Sequence, residues 1–380
     1  MTPTDKPLAG LRIVEVSSFI ASPFAGLTLS QLGAEVIRVD PIGGAADVNR
    51  WPLTADGESI YWTGLNRGKR SVEADLRSEA GQEMVQRLVT ESGPGGGILL
   101  TNQAGRSWMS HTVLSRIRPD VITLEVLGRT DGTPGVDYTV NAGLGFPQIT
   151  GPVDHAVPVN HVLPAWDLAC GLYAALCISA AVRRREQSGV GAHITLPLED
   201  TALSVAGTLG YLTEPQVNEH SRTGTGNDVY GTYGTDFTTA DGGRFMIVAL
   251  TPRHFRDLVD LTGVRDAVDA VEKALGADFR READRFTHRA VLNGLFEPWF
   301  ARHSTADVAA VLETASVLSQ QYRTFDDVVA DGVLADNPMF AELDQPGIGR
   351  YLAAGFPAAF EGAHYTTGPA PSLGADTPAE

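Results

Sequence analysis

The chain has 380 residues, 43% hydrophobic and 20% charged, the composition of an ordinary globular protein with length enough for two or three domains. Its formal net charge is −17 and the sequence shows no basic face. That excludes a nucleic-acid binder, which needs cations along the phosphates, but not a phosphorylated small molecule held by two or three of them.

In chain order, "LRIVEVSS" (11–18) is a β-branched run. Phe24, Leu27, Leu29 and Leu32 then favour a helix ending near Gly33, and "VIRVD" (36–40) reads as a second strand. Strand, helix and strand within thirty residues make a βαβ unit and imply a parallel sheet. The alternation continues through the helix "GQEMVQRLVTES", the strand "GGILLTN", the short helix "HTVLSRIRP" and the strand "DVITLEVLG", giving a doubly wound α/β domain. Residues 193–212 add a strand and a helix. The Gly-, Thr- and Asp-rich stretch 218–250 opens a second, smaller domain, with helices near 253–262, 282–296 and 304–317. "DNPMFAELDQPGIGRYLAAGFPAAF" returns to strands, and "GPAPSLGADTPAE" reads as an exposed tail.

Several chemistries are excluded by missing motifs. There is no G-x-G-x-x-G, no Walker A sequence, no G-x-S-x-G elbow and no H-E-x-x-H, and the nine histidines are scattered. His155 and His161 read as solvated loop residues, and no metal site is expected.

"NHVLPAWDLACGLYAALCISAAVRRRE" (160–186) is different. Its apolar run is long enough to span a bilayer, yet an Asp, a Pro and many small residues make it a buried core helix. Cys170 and Cys177 are seven apart, so two helical turns put them on one face roughly 10 Å apart, too far for a disulfide. They read as small core residues in a reducing cytoplasm, and the opening "MTPTDKPLAGLRIVEV" shows no secretory signal. Pro164 suits a first helical position, which puts Asp167 in the first turn, where the helix dipole favours an anion. Cys170, Gly171 and Ala174 share its face and leave room above the carboxylate. Spacing alone leaves two readings: an Asp satisfying backbone donors at its own helix start, or a carboxylate held for chemistry.

Three ordered blocks bear on that choice: "PLAGLRIVEVSSFIASPFAGLTLSQLGAEVIRVDPIGG", "LNRGKRSVEADLRSEAGQEMVQRLV" and "PAWDLACGLYAALCISAAVRRREQSGVGAHITLPLEDTAL". Together they resemble the family III CoA-transferases, which include formyl-CoA transferase, carnitine CoA-transferase and α-methylacyl-CoA racemase. The resemblance implies that Asp167 is a nucleophile forming an aspartyl–acyl anhydride and then an aspartyl–CoA thioester, with acyl-CoA and a small carboxylic acid as substrates and no tightly bound cofactor. It places Arg38 beside the adenosine end of CoA, Lys69 and Arg70 near its phosphates, and Asn102 along its path. Asp137 aligns with an acidic residue near the nucleophile. The racemases carry a His just before that position, and Val136 stands there in this chain. The consecutive glycines that close over the anhydride in formyl-CoA transferase have no counterpart in "RTGTGNDVYGTYG" (222–234), which speaks against a formyl or oxalyl substrate.

Further blocks, among them "DPIGGAADVNRWPLTADG", "NHVLPAWD" and "YGTYGTDF", are similar to the branch of the family that moves CoA between the two carboxylates of mesaconate. That similarity makes Arg50, Arg129, Tyr138 and Tyr230 candidates for holding a dicarboxylate. An intermolecular transferase, a racemase and a non-catalytic acyl-CoA-binding protein are the alternatives. The family fold implies a Rossmann-like parallel-sheet large domain and a small α+β domain. The expected boundaries are 1–190 for the first part of the large domain, 191–222 for a linker and helix, 223–320 for the small domain, and 321–380 for a return to the large domain and the tail. It also implies an interlocked homodimer, with no nucleic-acid or membrane partner.

Overall fold

The computed structural model describes residues 6–91, 93–155 and 157–378. Two compact units are distinguished: Met1–Leu144, His161–His220 and Gly332–Glu380 form the first, and Gly145–Asn160 with Ser221–Asp331 form the second.

The first unit is built on β1 (Arg12–Val16), α1 (Ala21–Gln31), β2 (Glu35–Pro41), α2 (Ile60–Asn66), β3 (Arg70–Ala74), α3 (Glu79–Thr90), β4 (Ile98–Thr101), α4 (His111–Ile117), β5 (Ile122–Leu127) and α5 (Asp137–Gly143). After the short α6 (Phe146–Ile149) of the second unit, the chain returns with α7 (Ala165–Ser188), β6 (Ala192–Pro197), α8 (Leu198–Thr208) and α9 (Thr213–Asn218). The six strands are all parallel, in the order β3-β2-β1-β4-β5-β6. This is the doubly wound order, with its direction reversing between β1 and β4, and α/β proteins bind ligands outside the strand carboxyl ends at that point.

Strands covered on both faces need both alternating sets of side chains buried. Val14, Val16, Ile37, Val39 and Leu99 pack with Val85, Val89 and Leu114 of α3 and α4. The intervening set on β1 and β2 includes Glu15, Arg38 and Asp40, all essentially inaccessible to solvent.

Three expectations change here. Residues 191–222 are no linker, because β6 pairs with β5 and completes the sheet edge. The tail is not free: Asp376 receives hydrogen bonds from Arg70 Nε (3.0 Å) and the Ser71 amide (2.9 Å), and Thr377 Oγ1 receives one from the Glu73 amide (2.9 Å). It covers β3, the other sheet edge, which would otherwise present unpaired backbone groups. Residues 145–160 belong to the second unit and not to the first.

That second unit pairs β7 (Tyr233–Thr238), β8 (Arg244–Ala249) and β9 (Leu318–Gln321) antiparallel. Its helices are α10 (Pro252–Thr262), α11 (Arg265–Leu275), α12 (Glu282–Thr287), α13 (Arg289–Phe300), α14 (Thr305–Thr314) and α15 (Phe325–Ala330). Tyr233, Phe255, Phe296 and Phe300 centre its core. The expected 282–296 helix is two helices meeting at His288, and α11, bounded by the left-handed Gly263 and Gly276, was not foreseen. The first unit ends with α16 (Val333–Asp336) and the hairpins β10 (Phe340–Gln345)–β11 (Gly349–Ala354) and β12 (Ala359–Phe360)–β13 (Ala363–His364).

Candidate active site

A cavity of about 380 Å³ opens at the switch point of the first unit. Its walls come from the β1–α1 turn (Ser18–Ala21), Asn102 after β4, the end of β5, the start of α5, and Asp167. Asn102 ties two of these together. Its Nδ2 donates to the Ser18 carbonyl (2.7 Å) and its Oδ1 accepts from the Ser18 amide (3.1 Å). Phe19, next in the turn, is held at φ 66°, a left-handed conformation a bulky residue adopts only when its surroundings impose it. Its amide donates to Asp47 Oδ2 (2.9 Å).

Asp167 is the third residue of α7, and Pro164 is the N-cap residue, one position earlier than expected. Proline offers no capping side chain, so the first turn needs acceptors from elsewhere. Asp137, the first residue of α5, supplies them. Its Oδ2 accepts from the amides of Trp166 (2.7 Å) and Asp167 (3.1 Å). Its other oxygen meets Nε2 of His161, while Trp166 Nε1 donates to Asn141 Oδ1 (3.0 Å). A carboxylate 30 residues upstream therefore caps this helix, and Asp167 does not cap itself. The Asp167 carboxylate accepts no hydrogen bond from any described residue and faces the cavity. Burial, then the charge of Asp137, push its carboxyl up to about 7, with Arg50 pulling it the other way.

The small residues after Asp167 do a different job from the one expected. Cys170 and Ala174 are fully buried, and α1 lies against Gly171, where a Cβ would sit 2.7 Å from the Ala21 carbonyl oxygen and 3.0 Å from the Phe24 ring. They let two helices approach; the room beside Asp167 lies on its other side. Both cysteines are free, and burial pushes the Cys170 thiol up to about 12.

Three cations expected to meet CoA are committed elsewhere. Arg38 lies within β2 with 1% exposure, bidentate to Asp40 (2.9 and 2.9 Å) and bonded to Asp47 (3.0 Å) and Asn66 (3.2 Å). Burial opposes its charge, but Asp40, Glu15 and Asp47 outweigh that and hold it above the ordinary arginine range. Lys69 is equally enclosed, donating to Glu15 (2.9 Å), the Pro23 carbonyl (2.9 Å) and Asn66 (3.0 Å), and burial pulls its ammonium down to about 8. Gly26 of α1 makes that enclosure possible, since a Cβ there would stand 1.8 Å from a Glu15 oxygen. Arg70 opens β3 at its amino end, the wrong end of the sheet for a ligand, and pairs with Glu35 and Asp376. These residues build the scaffold: Arg38 fixes Asp47, and Asp47 fixes the Phe19 turn.

Of the dicarboxylate candidates, Arg50 and Tyr138 line the cavity and Arg129 and Tyr230 do not. Arg50 is exposed, lies over the rings of Phe19 (5.6 Å) and Tyr61 (5.3 Å), and forms no ion pair with any described residue. It is the one cation among the described residues lining the cavity. Arg129 is bonded to Glu199 (3.0 Å) and the Pro134 carbonyl (2.7 Å). Tyr230 belongs to the second unit, where Arg222 stacks on its ring at 4.3 Å.

Two site residues escaped the sequence reading. Tyr61 lines the cavity with a buried hydroxyl that has no partner among the described residues, and burial pushes its phenol up. His161, taken for a solvated loop residue, sits on Asp137. An Arg–aromatic–aromatic constellation drawn from 50, 61 and 138 leaves no local spacing that could have revealed it.

The chain matches the sequence profile of CoA-transferase family III over residues 8–377. This protein belongs to that family. A 2-methylfumaryl-CoA isomerase from Chloroflexus aurantiacus is 44% identical over 374 residues, 97% of this chain and 91% of that one. A succinyl-CoA–D-citramalate CoA-transferase from the same organism is 26% identical, covering 90% of this chain and 85% of its own. The crystal structure of a CaiB/BaiF family protein from Brucella suis superposes with a TM-score of 0.80 at 26% identity, covering 97% of each chain. As a family III CoA-transferase, the protein takes CoA thioesters as substrates.

Proposed function

We propose that the protein moves CoA from one carboxylate of a small unsaturated dicarboxylate to the other, with mesaconyl-CoA (2-methylfumaryl-CoA) as the substrate and Asp167 as the nucleophile. The observation that carries this reading is the cap: Asp137 serves the start of α7, so the Asp167 carboxylate is left for chemistry at the cavity wall. The 44% identity to a 2-methylfumaryl-CoA isomerase supports the substrate.

The Asp167 carboxylate attacks the thioester carbonyl, the C–S bond breaks, and an aspartyl–acyl anhydride and CoA thiolate result. The thiolate attacks the aspartyl carbonyl, giving an Asp167–CoA thioester and the free dicarboxylate. The dicarboxylate turns over in the cavity, attacks with its other end to re-form an anhydride, and the thiolate takes the new acyl group. No proton and no ATP are consumed, and holding the freed acid in place supplies the proximity a second substrate would otherwise have to provide. Water must stay out while the anhydride exists.

Arg50 faces the carboxylate not engaged in the thioester, and the Tyr61 hydroxyl donates beside it. Asn102 and Tyr138 line the path. Val136 stands where racemases carry their base, and its side chain cannot take a proton, which favours transfer over racemisation. The exposed apolar side chains Leu172 and Leu176 of α7, with Leu203 on α8, support burial against a second copy in a homodimer. The two free cysteines suit the cytoplasm.

Incubation with mesaconyl-CoA followed by hydroxylamine or borohydride trapping and mass spectrometry tests the proposal. Modification is expected at Asp167 alone, and label from excess free mesaconate should not enter the product. Modification elsewhere refutes the nucleophile; label uptake refutes intramolecular transfer in favour of an external acid acceptor.

A further inference from the structure

Asp137 and Asp167 start neighbouring helices at one cavity, and the Asp137 carboxylate stands at the very amides that begin α7. Two carboxylates so close oppose each other's ionisation. The transfer also needs an anion there throughout: negative charge passes from Asp167 to the CoA thiolate and back, and a dicarboxylate brings another. Arg50 answers the substrate's charge. The first-turn amides of α7 answer part of the Asp137 charge, and a positive charge in contact with its other oxygen would answer the rest.

We propose that His161 is a positioning residue of the transfer, its imidazolium seated on Asp137 to cancel that charge and lock the carboxylate across the α7 start, leaving Asp167 to carry the reacting charge. The inference rests on Asp167 being the nucleophile. The geometry is specific: the His161 side chain retains 22% of its exposure, its Nε2 contacts Asp137 Oδ1, and its ring is flanked by Tyr138 (5.8 Å, edge-on) and Trp166 (6.2 Å). Asp137 itself is 1% exposed, so its charge has little solvent to answer it.

The other groups facing the pair do not substitute. From the loop before α2 comes Arg50, stacked on Phe19 and Tyr61. The phenols of Tyr61 and Tyr138 and the Cys170 thiol carry no positive charge. On α8, Glu199 is paired with Arg129, and Asp200 accepts from Thr130 (2.7 Å). His161 is the basic side chain in contact with Asp137 among the described residues. The upward displacement of the Asp167 carboxyl by Asp137 is the effect this arrangement limits.

The test is the pH dependence of kcat for the native enzyme, His161→Gln and His161→Lys, with melting temperatures as a folding control. Glutamine keeps a donor but loses the charge, so the acid limb should move up by about one pH unit or more, costing about tenfold in rate below neutrality and little in alkali. Lysine keeps the charge and should restore the native limb. An unmoved limb in His161→Gln, or an equal loss at every pH, overturns the inference. Failure of the native enzyme to become modified at Asp167 would instead bring down the nucleophile reading, so the two failures are distinguishable.

Discussion

Replacing Asp167 by Asn should make the protein more stable than the native chain in alkali and no different in acid. Burial and the Asp137 charge raise this carboxyl from 3.8 to about 7. A carboxyl that binds its proton more tightly when folded contributes stability that is complete below the unfolded value. That contribution is lost as pH climbs through the folded value, because the native state binds more protons over the interval. The separation of about three pH units, at 1.36 kcal/mol each, sets a ceiling of about 4 kcal/mol. The side chain borders an open cavity, and solvent screening brings the expected effect to about 1–2 kcal/mol. Asparagine has nearly the same shape and no charge to desolvate, so its stability should lack this component. Urea unfolding of both proteins at one fixed concentration, from about pH 4 to about pH 8.5, measures it. The variant's advantage should grow from near zero to about 1–2 kcal/mol across that range. A difference that ignores pH, or a variant weaker in alkali, would show that the Asp167 carboxylate is held by favourable contacts, and the account of a poised anion would be wrong.

Arg50→Gln should raise KM for a dicarboxylyl-CoA about tenfold or more, leaving thioesters of monocarboxylic acids largely unaffected; equal losses on both would remove Arg50 from carboxylate recognition. Tyr61→Phe deletes a buried hydroxyl without a partner among the described residues, so thermal unfolding should show unchanged or higher stability while kcat drops about tenfold. Full turnover in that variant would make Tyr61 a packing residue. Gly171→Ala puts a methyl 2.7 Å from the Ala21 carbonyl oxygen, and should lower stability by about 1–3 kcal/mol and turnover with it, since Ala21 closes the cavity wall. A melting temperature equal to the native one would mean the helices separate without cost.

The sequence by itself determined the scaffold and the odd acid. Strand and helix periodicities are local, so the βαβ alternation, five of the six sheet strands and the apolar helix around Asp167 were legible, and the ordered blocks carried the resemblance to the family. β3 was missed because its short run "RSVEA" carries three polar residues, all of them bonded to the distant tail.

Only the tertiary structure decided which charges face solvent and which face each other. The family resemblance sets Arg38 at the adenosine end of CoA and Lys69 and Arg70 near its phosphates. In the structure Arg38 pairs with Asp40, two residues on in β2, and with Asp47, while Lys69 pairs with Glu15 of β1 and Arg70 with Asp376 of the tail. The same holds at the site, where the helix start that Pro164 cannot cap is capped from α5, and His161 answers that cap. Hydrogen bonds and charge compensation act across a few ångströms of space regardless of separation along the chain, and so no spacing rule could have found the pairs made between segments.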